Sequence, residues 1–161
     1  MGTKGGEVQK KRRHDVVFEG CSVRFDVDEK YELKCKLGFG SYGFVCAFKD
    51  KSEPPDADDV AIKKFTRVFS YSRIIAQRLL RELRILRQIK HPFIVPMTDV
   101  LLPTDTERFD DVYVVYEKMD TTLFRVLRDR TTESGLRPRF YKRVMYQVSS
   151  YHLIVYLNYL N

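Results

Sequence analysis

Two short segments have the residue types and order needed to hold the phosphates of a nucleotide: LeuGlyPheGlySerTyrGlyPheVal at 37–45 and ValAlaIleLysLys at 60–64. Gly38, Gly40 and Gly43 carry no Cβ, so backbone N–H groups there can approach phosphate oxygens. A GxGxxG spacing alone is a weak signal, shared with dinucleotide-binding folds and with plain hairpin turns. A dinucleotide site needs a helix opening at the loop, with its N-terminus on the pyrophosphate. Here Phe44, Cys46 and Phe48 alternate with Val45, Ala47 and Lys49, a period of two that makes a strand. The loop is therefore expected to be a flap between strands, with Tyr42 capping its tip and Val45 closing over an adenine.

Lys63 follows an apolar run, Val60, Ala61 and Ile62. Burying an ammonium is costly unless it meets an anion, so an inward Lys63 points to a phosphate partner. Lys64 then faces the other way, because successive strand residues alternate. The plainer alternative is an edge strand with both lysines in solvent. Glu82 lies three residues after Leu79 and four before Leu86, on what reads as the apolar stripe of a helix. A carboxylate there wants a cation, and Lys63 is expected to supply it; a surface pair with Arg78 is the alternative.

The surrounding pattern supplies the elements that position these groups. Strands are expected at Tyr31 to Leu37, Phe44 to Lys49, Val60 to Phe65, Ile94 to Leu102 and Val112 to Tyr116. A helix from about Ser72 to Ile89 carries Ile75, Leu79, Leu83, Leu86 and Ile89 at spacings of three and four. His91-Pro92 stops it, since the residue before proline is pushed out of the helical region. A short helix from Thr122 to Arg128 and a longer one from Pro138 follow. This order predicts an α+β fold, a five-stranded antiparallel sheet with one packed helix and then further helices.

From Tyr31 to Leu127 the flap, ValAlaIleLys, helix glutamate and hinge resemble the small lobe of the eukaryotic protein kinases. ArgGluLeuArgIleLeuArgGlnIleLysHisPro (81–92), AspValTyrValValTyrGluLysMetAsp (111–120) and ThrLeuPheArgVal (122–126) are similar to the mitogen-activated protein kinases. The resemblance implies ATP under a flap of Leu37, Gly38, Phe39, Gly40, Ser41, Tyr42, Gly43, Phe44 and Val45, with Ala61 beside it. It implies that Lys63 binds the α- and β-phosphates and Glu82 orients it, that Tyr116 is the gatekeeper, and that the Glu117 carbonyl and Met119 N–H meet the adenine edge. Family activity is ATP- and Mg2+-dependent phosphorylation of Ser or Thr in protein substrates, under control of upstream kinases. No HisArgAsp loop and no AspPheGly motif occur in the sequence, so no metal ligands are assigned and Lys63 and Glu82 are the only catalytic-type residues. Thr122 stands near where the family commonly has an Asp. After Gln147 the resemblance decays into an apolar tail, and the polypeptide is expected to be truncated before the catalytic loop and inactive by itself.

The corresponding organisation is a disordered basic leader (1–20), the small lobe with the ATP flap (21–120), the start of the large lobe (121–147) and an atypical tail (148–161). A net charge of +7, with 43% hydrophobic residues, fits a globular chain rather than a disordered one. Lys10 to Arg13 could serve a nucleic acid or nuclear import, but no aromatic residues interleave the Arg73 to Lys90 series to stack on bases. A nucleic-acid binder is therefore the lesser alternative, behind a kinase lobe and behind a non-catalytic nucleotide- or partner-binding fragment. No apolar run of membrane-spanning length occurs, which leads to the expectation of a cytoplasmic or nuclear protein. Cys21, Cys35 and Cys46 form no CxxC pair and are expected to be reduced.

Overall fold

A computed structural model describes residues 10–40, 43–128 and 138–159. The chain divides into two compact units, residues 1–79 with 97–118 and residues 80–96 with 119–161.

The first unit opens with an antiparallel hairpin of β1 (Lys11–Phe18) and β2 (Cys21–Asp28). Its two-residue turn, Glu19-Gly20, has φ of 44° and 85°. Positive φ at both positions is the backbone that matches the twist of the flanking strands. One face is apolar, burying Val16, Phe18, Val23, Phe25 and Val27. The other carries cross-strand pairs, Arg13 with Asp26 at 3.3 Å and Arg24 with Asp15 at 3.4 Å. The expected disordered leader is thus corrected from Lys11 onward: Val16 and Phe18 of β1, paired with the alternating Val23, Phe25 and Val27 of β2, give the hairpin one face to bury. Residues 1–9 lie outside the described residues. Lys10 meets Glu29 at 3.1 Å and Lys11 pairs with Asp28, so three of the four basic residues from Lys10 to Arg13 face acidic partners.

The main sheet has the order β3-β4-β5-β7-β6, antiparallel throughout, from β3 (Tyr31–Gly40), β4 (Gly43–Asp50), β5 (Val60–Phe65), β6 (Met97–Leu101) and β7 (Val112–Glu117). The five expected strands are present. β6 starts later than Ile94, after Pro96, whose missing N–H cannot join a ladder. One sheet face packs against the hairpin. Cys46, Phe48, Ile62, Tyr113 and Val115 meet Val16, Phe18, Val23, Phe25 and Val27 in a continuous core. Burying each such side chain stabilises by about 1.5–3 kcal/mol. Two polar ties reinforce it: Asp26 N–H donates to the Tyr113 hydroxyl at 3.1 Å, and Lys30 Nζ meets Asp50 at 2.9 Å. Shifts of register in β3, at Leu33/Cys35 and Lys36/Gly38, bend the strand on its way to the flap.

A single helical turn, α1 (Val68–Tyr71), was not expected from sequence. Asp110 holds it, accepting from Phe69 N–H at 2.7 Å and Ser70 N–H at 2.9 Å. Helix α2 (Arg73–Gln88) starts behind Ser72, whose hydroxyl accepts from Ile74 N–H. Its expected stripe is covered, with Leu79 buried and Ile75, Leu83, Leu86 and Ile89 half-buried.

The second unit holds the later part of α2, then α3 (Leu123–Arg128) and α4 (Pro138–Tyr159). Thr122 caps α3 by accepting Arg125 N–H at 3.3 Å. Phe93 packs edge-on to Tyr146 of α4, ring centroids 6.0 Å apart. Tyr141, Met145 and Val148 recur at four and three along α4 and are exposed. Among the described residues no helix is long and apolar enough to cross a membrane.

Candidate functional site

The register of three strands decides which side chains share a face. Val45 pairs with Lys63 and Lys63 with Val114; Ala47 pairs with Ala61 and Ala61 with Tyr116. These residues lie on the face turned away from the hairpin. Beneath the flap a cavity of about 400 Å³ is lined by Leu37, Gly38, Phe39, Gly40, Gly43, Val45 and Lys63. The flap and the lysine, separate in sequence, therefore share one cavity. Lys63 is half-buried, its Nζ 4.3 Å from the centroid of the Phe65 ring.

The three flap glycines are not equivalent. At Gly38 and Gly40 a Cβ would meet nothing within 4 Å, which leaves open space beside the backbone. At Gly43, φ is 134° and a Cβ would fall 2.0 Å from the Lys64 carbonyl oxygen. Gly43 is therefore required by close approach of β4 to β5, a role that its motif position alone does not reveal. Ser41 and Tyr42, between Gly40 and Gly43 in the register, lie outside the described residues.

Lys64 occupies the opposite face of β5 and is buried. Its ammonium meets Asp111 at 2.7 Å, donates to the Arg24 carbonyl and lies over the Tyr113 ring. Burial acts to lower its pKa, but the Asp111 hydrogen bond and the neighbouring Tyr113 and Asp111 outweigh that and hold it above the ordinary lysine value. Sequence reasoning missed this pair because its members are distant in the chain.

Glu82 is exposed, at the edge of the α2 stripe rather than within it. The expectation of a carboxylate on a buried face is corrected: Leu79 takes the buried position and the next turn leaves Glu82 in solvent. Lys63 and Glu82 fall in different compact units. Tyr116 and Glu117 end β7 in the first unit, while Met119 is exposed and belongs to the second. Phe44 faces the hairpin rather than the cavity, as the partner of Phe39 and Lys64 across β4.

A larger cavity, about 640 Å³, lies on the hairpin side among Val23, Phe44, Lys64, Phe65, Val68 and Ile75. Its buried cation, Lys64, is already held by Asp111, and Arg24 and Arg67 also line it. No carboxylate, histidine or thiol lines the flap cavity, and no group of three such side chains among the described residues could hold a metal ion. The donor set fits a phosphate and does not fit Mg2+.

Residues 31–154 match the family model of the protein kinase domain. The chain belongs to the protein kinase family. Within that family it is similar to mitogen-activated protein kinases. Mitogen-activated protein kinase 4a of Physcomitrium patens is 38% identical over 116 residues, covering 71% of this chain and 30% of the relative. Mitogen-activated protein kinase homolog 1 of Petunia hybrida is 39% identical over 111 residues, 69% of this chain and 28% of the relative. Mitogen-activated protein kinase 7 of Arabidopsis thaliana is 40% identical over 104 residues, 65% and 27%. The chain spans less than a third of the length of these relatives. The antiparallel sheet and its glycine flap are accordingly those of a protein kinase small lobe.

Proposed function

We propose that this lobe binds ATP beneath its flap and serves as the nucleotide-holding part of a mitogen-activated-protein-kinase-like Ser/Thr kinase. The observation that carries the reading is the single cavity joining Gly38, Gly40 and Val45 to Lys63. In it the flap N–H groups receive phosphate oxygens, Lys63 neutralises the α- and β-phosphates, and Val45 with Ala61 covers the adenine. By the family pattern Glu82 orients Lys63, Tyr116 closes the back of the pocket, and Glu117 C=O and Met119 N–H receive the adenine edge. Mg2+ and protein substrates belong to this reading through the family, as does a cytoplasmic or nuclear setting. Phosphoryl transfer itself is mostly positioning and charge neutralisation around a base and metal ligands. HisArgAsp and AspPheGly do not occur in these 161 residues, so the reading assigns this lobe the nucleotide binding.

Titration with a fluorescent ATP analogue tests this. The chain is expected to bind it, and Lys63→Met to weaken binding about tenfold or more at unchanged melting temperature, the loss of one charge-assisted contact. Equal affinity of the two proteins would overturn the assignment.

A further inference from the structure

We propose that the β1–β2 hairpin sets the position of the glycine flap, with Phe18 as the positioning residue. Phe18 is buried at the end of β1, and its ring lies 5.0 Å from Phe44 and 6.2 Å from Phe39, centroid to centroid. Phe39 and Phe44 are direct cross-strand partners, one on each arm of the flap, and their rings stack at 6.2 Å with a 24° interplanar angle. The three rings close a triangle that joins the end of β1 to both arms of the flap. A flap built on Gly38 and Gly40 has no side chains there to anchor it. Among its described residues between Leu37 and Gly43, Phe39 is the side chain able to do so.

A second route from hairpin to flap runs through β5. Arg24 of β2 accepts the Lys64 ammonium on its carbonyl, while Lys64 presents its own carbonyl to Gly43 at the root of the other flap arm. Lys36 Nζ, just before the flap, also reaches the Val17 carbonyl of β1 at 3.4 Å. Both arms thus rest on one hairpin; Phe18, Phe44, Lys36 and Lys64 do not line the cavity, whereas Phe39 and Gly43 do. Phe18 acts through Phe39 and Phe44, not on the nucleotide. A docked hairpin restricts the flap to the conformation that covers the cavity, and a loosened hairpin lowers the population able to bind.

The proposal rests on the reading of the flap as a nucleotide cradle, and its test separates the two. Amide hydrogen exchange across residues 37–45 of the full chain, without nucleotide, is compared in wild type, Phe18→Ala, Phe39→Ser, the double variant and Phe39→Tyr. Each single loss is expected to speed flap exchange about tenfold, while residues 60–65 and 112–117 keep their protection. The double variant should be no faster than either single, the signature of one shared interaction. Phe39→Tyr should restore the wild-type rate, and affinity for a fluorescent ATP analogue should fall roughly in proportion to the loosening. Unchanged flap exchange in Phe39→Ser, or additive effects in the double variant, would overturn the proposal. If Phe18→Ala does not fold, Phe39→Ser at its half-exposed position and its Tyr rescue decide the matter. Failure of the wild type to bind the analogue would remove the nucleotide reading, and the exchange rates would still decide whether hairpin and flap are coupled.

Discussion

Lys64 Nζ meets the Asp111 carboxylate at 2.7 Å on the side of β5 opposite Lys63. Asp111 also accepts Arg67 N–H at 3.2 Å. The pair therefore ties the strand that carries Lys63 to the chain just before α1 and to the start of β7.

Removing one partner leaves unequal debris. Asp111→Ala strands a buried ammonium and is expected to cost about 1–3 kcal/mol, below the value for a fully buried pair because the carboxylate is partly solvated. Lys64→Met removes the charge and keeps the stem's volume, so it should cost less. Urea denaturation of both proteins checks the order; a costlier Lys64→Met would refute it. The pH sign follows from the raised Lys64 pKa: stabilisation is full below the ordinary lysine value and is lost as pH rises through the higher folded value.

The glycines of the flap should separate by measurement. Gly43→Ala places a methyl carbon against the Lys64 carbonyl at positive φ, and a loss of about 2 kcal/mol or more is expected. Gly38→Ala and Gly40→Ala meet open space and should leave stability unchanged or raise it by about 0.5 kcal/mol. Their cost should fall on nucleotide affinity instead. Thermal melts paired with titrations would show the split, and equal destabilisation at all three positions would contradict it.

His14 makes the hairpin acid-sensitive. Its ring stands edge-on to Phe48 at 5.5 Å, and Nε2 is buried without a hydrogen-bond partner. Burial depresses its pKa, with the charges of Arg12 and Lys51 acting the same way and a backbone hydrogen bond at Tyr31 and the Glu32 carboxylate opposing. A depressed folded pKa means that the unfolded chain takes up the proton first. Stability is therefore full above pH 6.5 and falls as pH drops from there through the lower folded value. His14→Phe should flatten that slope in urea titrations at pH 5 to 7.5; an unaltered slope would place the acid sensitivity elsewhere.

The three thiols should report the fold directly. Cys21 and Cys35 are exposed, whereas Cys46 is fully buried and its pKa is pushed up to about 12 by burial and the nearby Cys35. A thiol-specific chromophore is expected to label two cysteines in the native protein and the third only on unfolding. Rapid labelling of all three would mean that the core between hairpin and sheet is open.

What the sequence made legible depended on range. Alternation in Phe44 to Lys49 and the stripe from Ile75 to Ile89 are local patterns, and they marked β4 and α2 directly. The flap and Lys63 could be read together because β4 and β5 are sequence neighbours. The hairpin β1–β2 was legible in principle, since Val16, Phe18, Val23, Phe25 and Val27 keep a period of two. It was missed because the basic run at Lys10 drew a compositional reading and Glu19-Gly20 lacks the usual Asn or Asp before its glycine. The Asp110 cap and the Lys64–Asp111 pair join residues 40 to 47 positions apart, beyond any local pattern. Glu82 shows the limit of helical spacing, which places a residue within a turn of a stripe but not inside or outside its edge.

The order of synthesis gives the hairpin a further consequence. β1 and β2 leave the ribosome before the sheet they pack on, and the hydroxyl that receives Asp26 N–H belongs to Tyr113, 87 residues later. A two-stranded hairpin alone is marginal in water, so its apolar face is not fully covered until β4, β5 and finally β7 have emerged. During that interval Val23, Phe25 and Val27 form a sticky strand on a nascent chain, and a holding chaperone would find its natural target there.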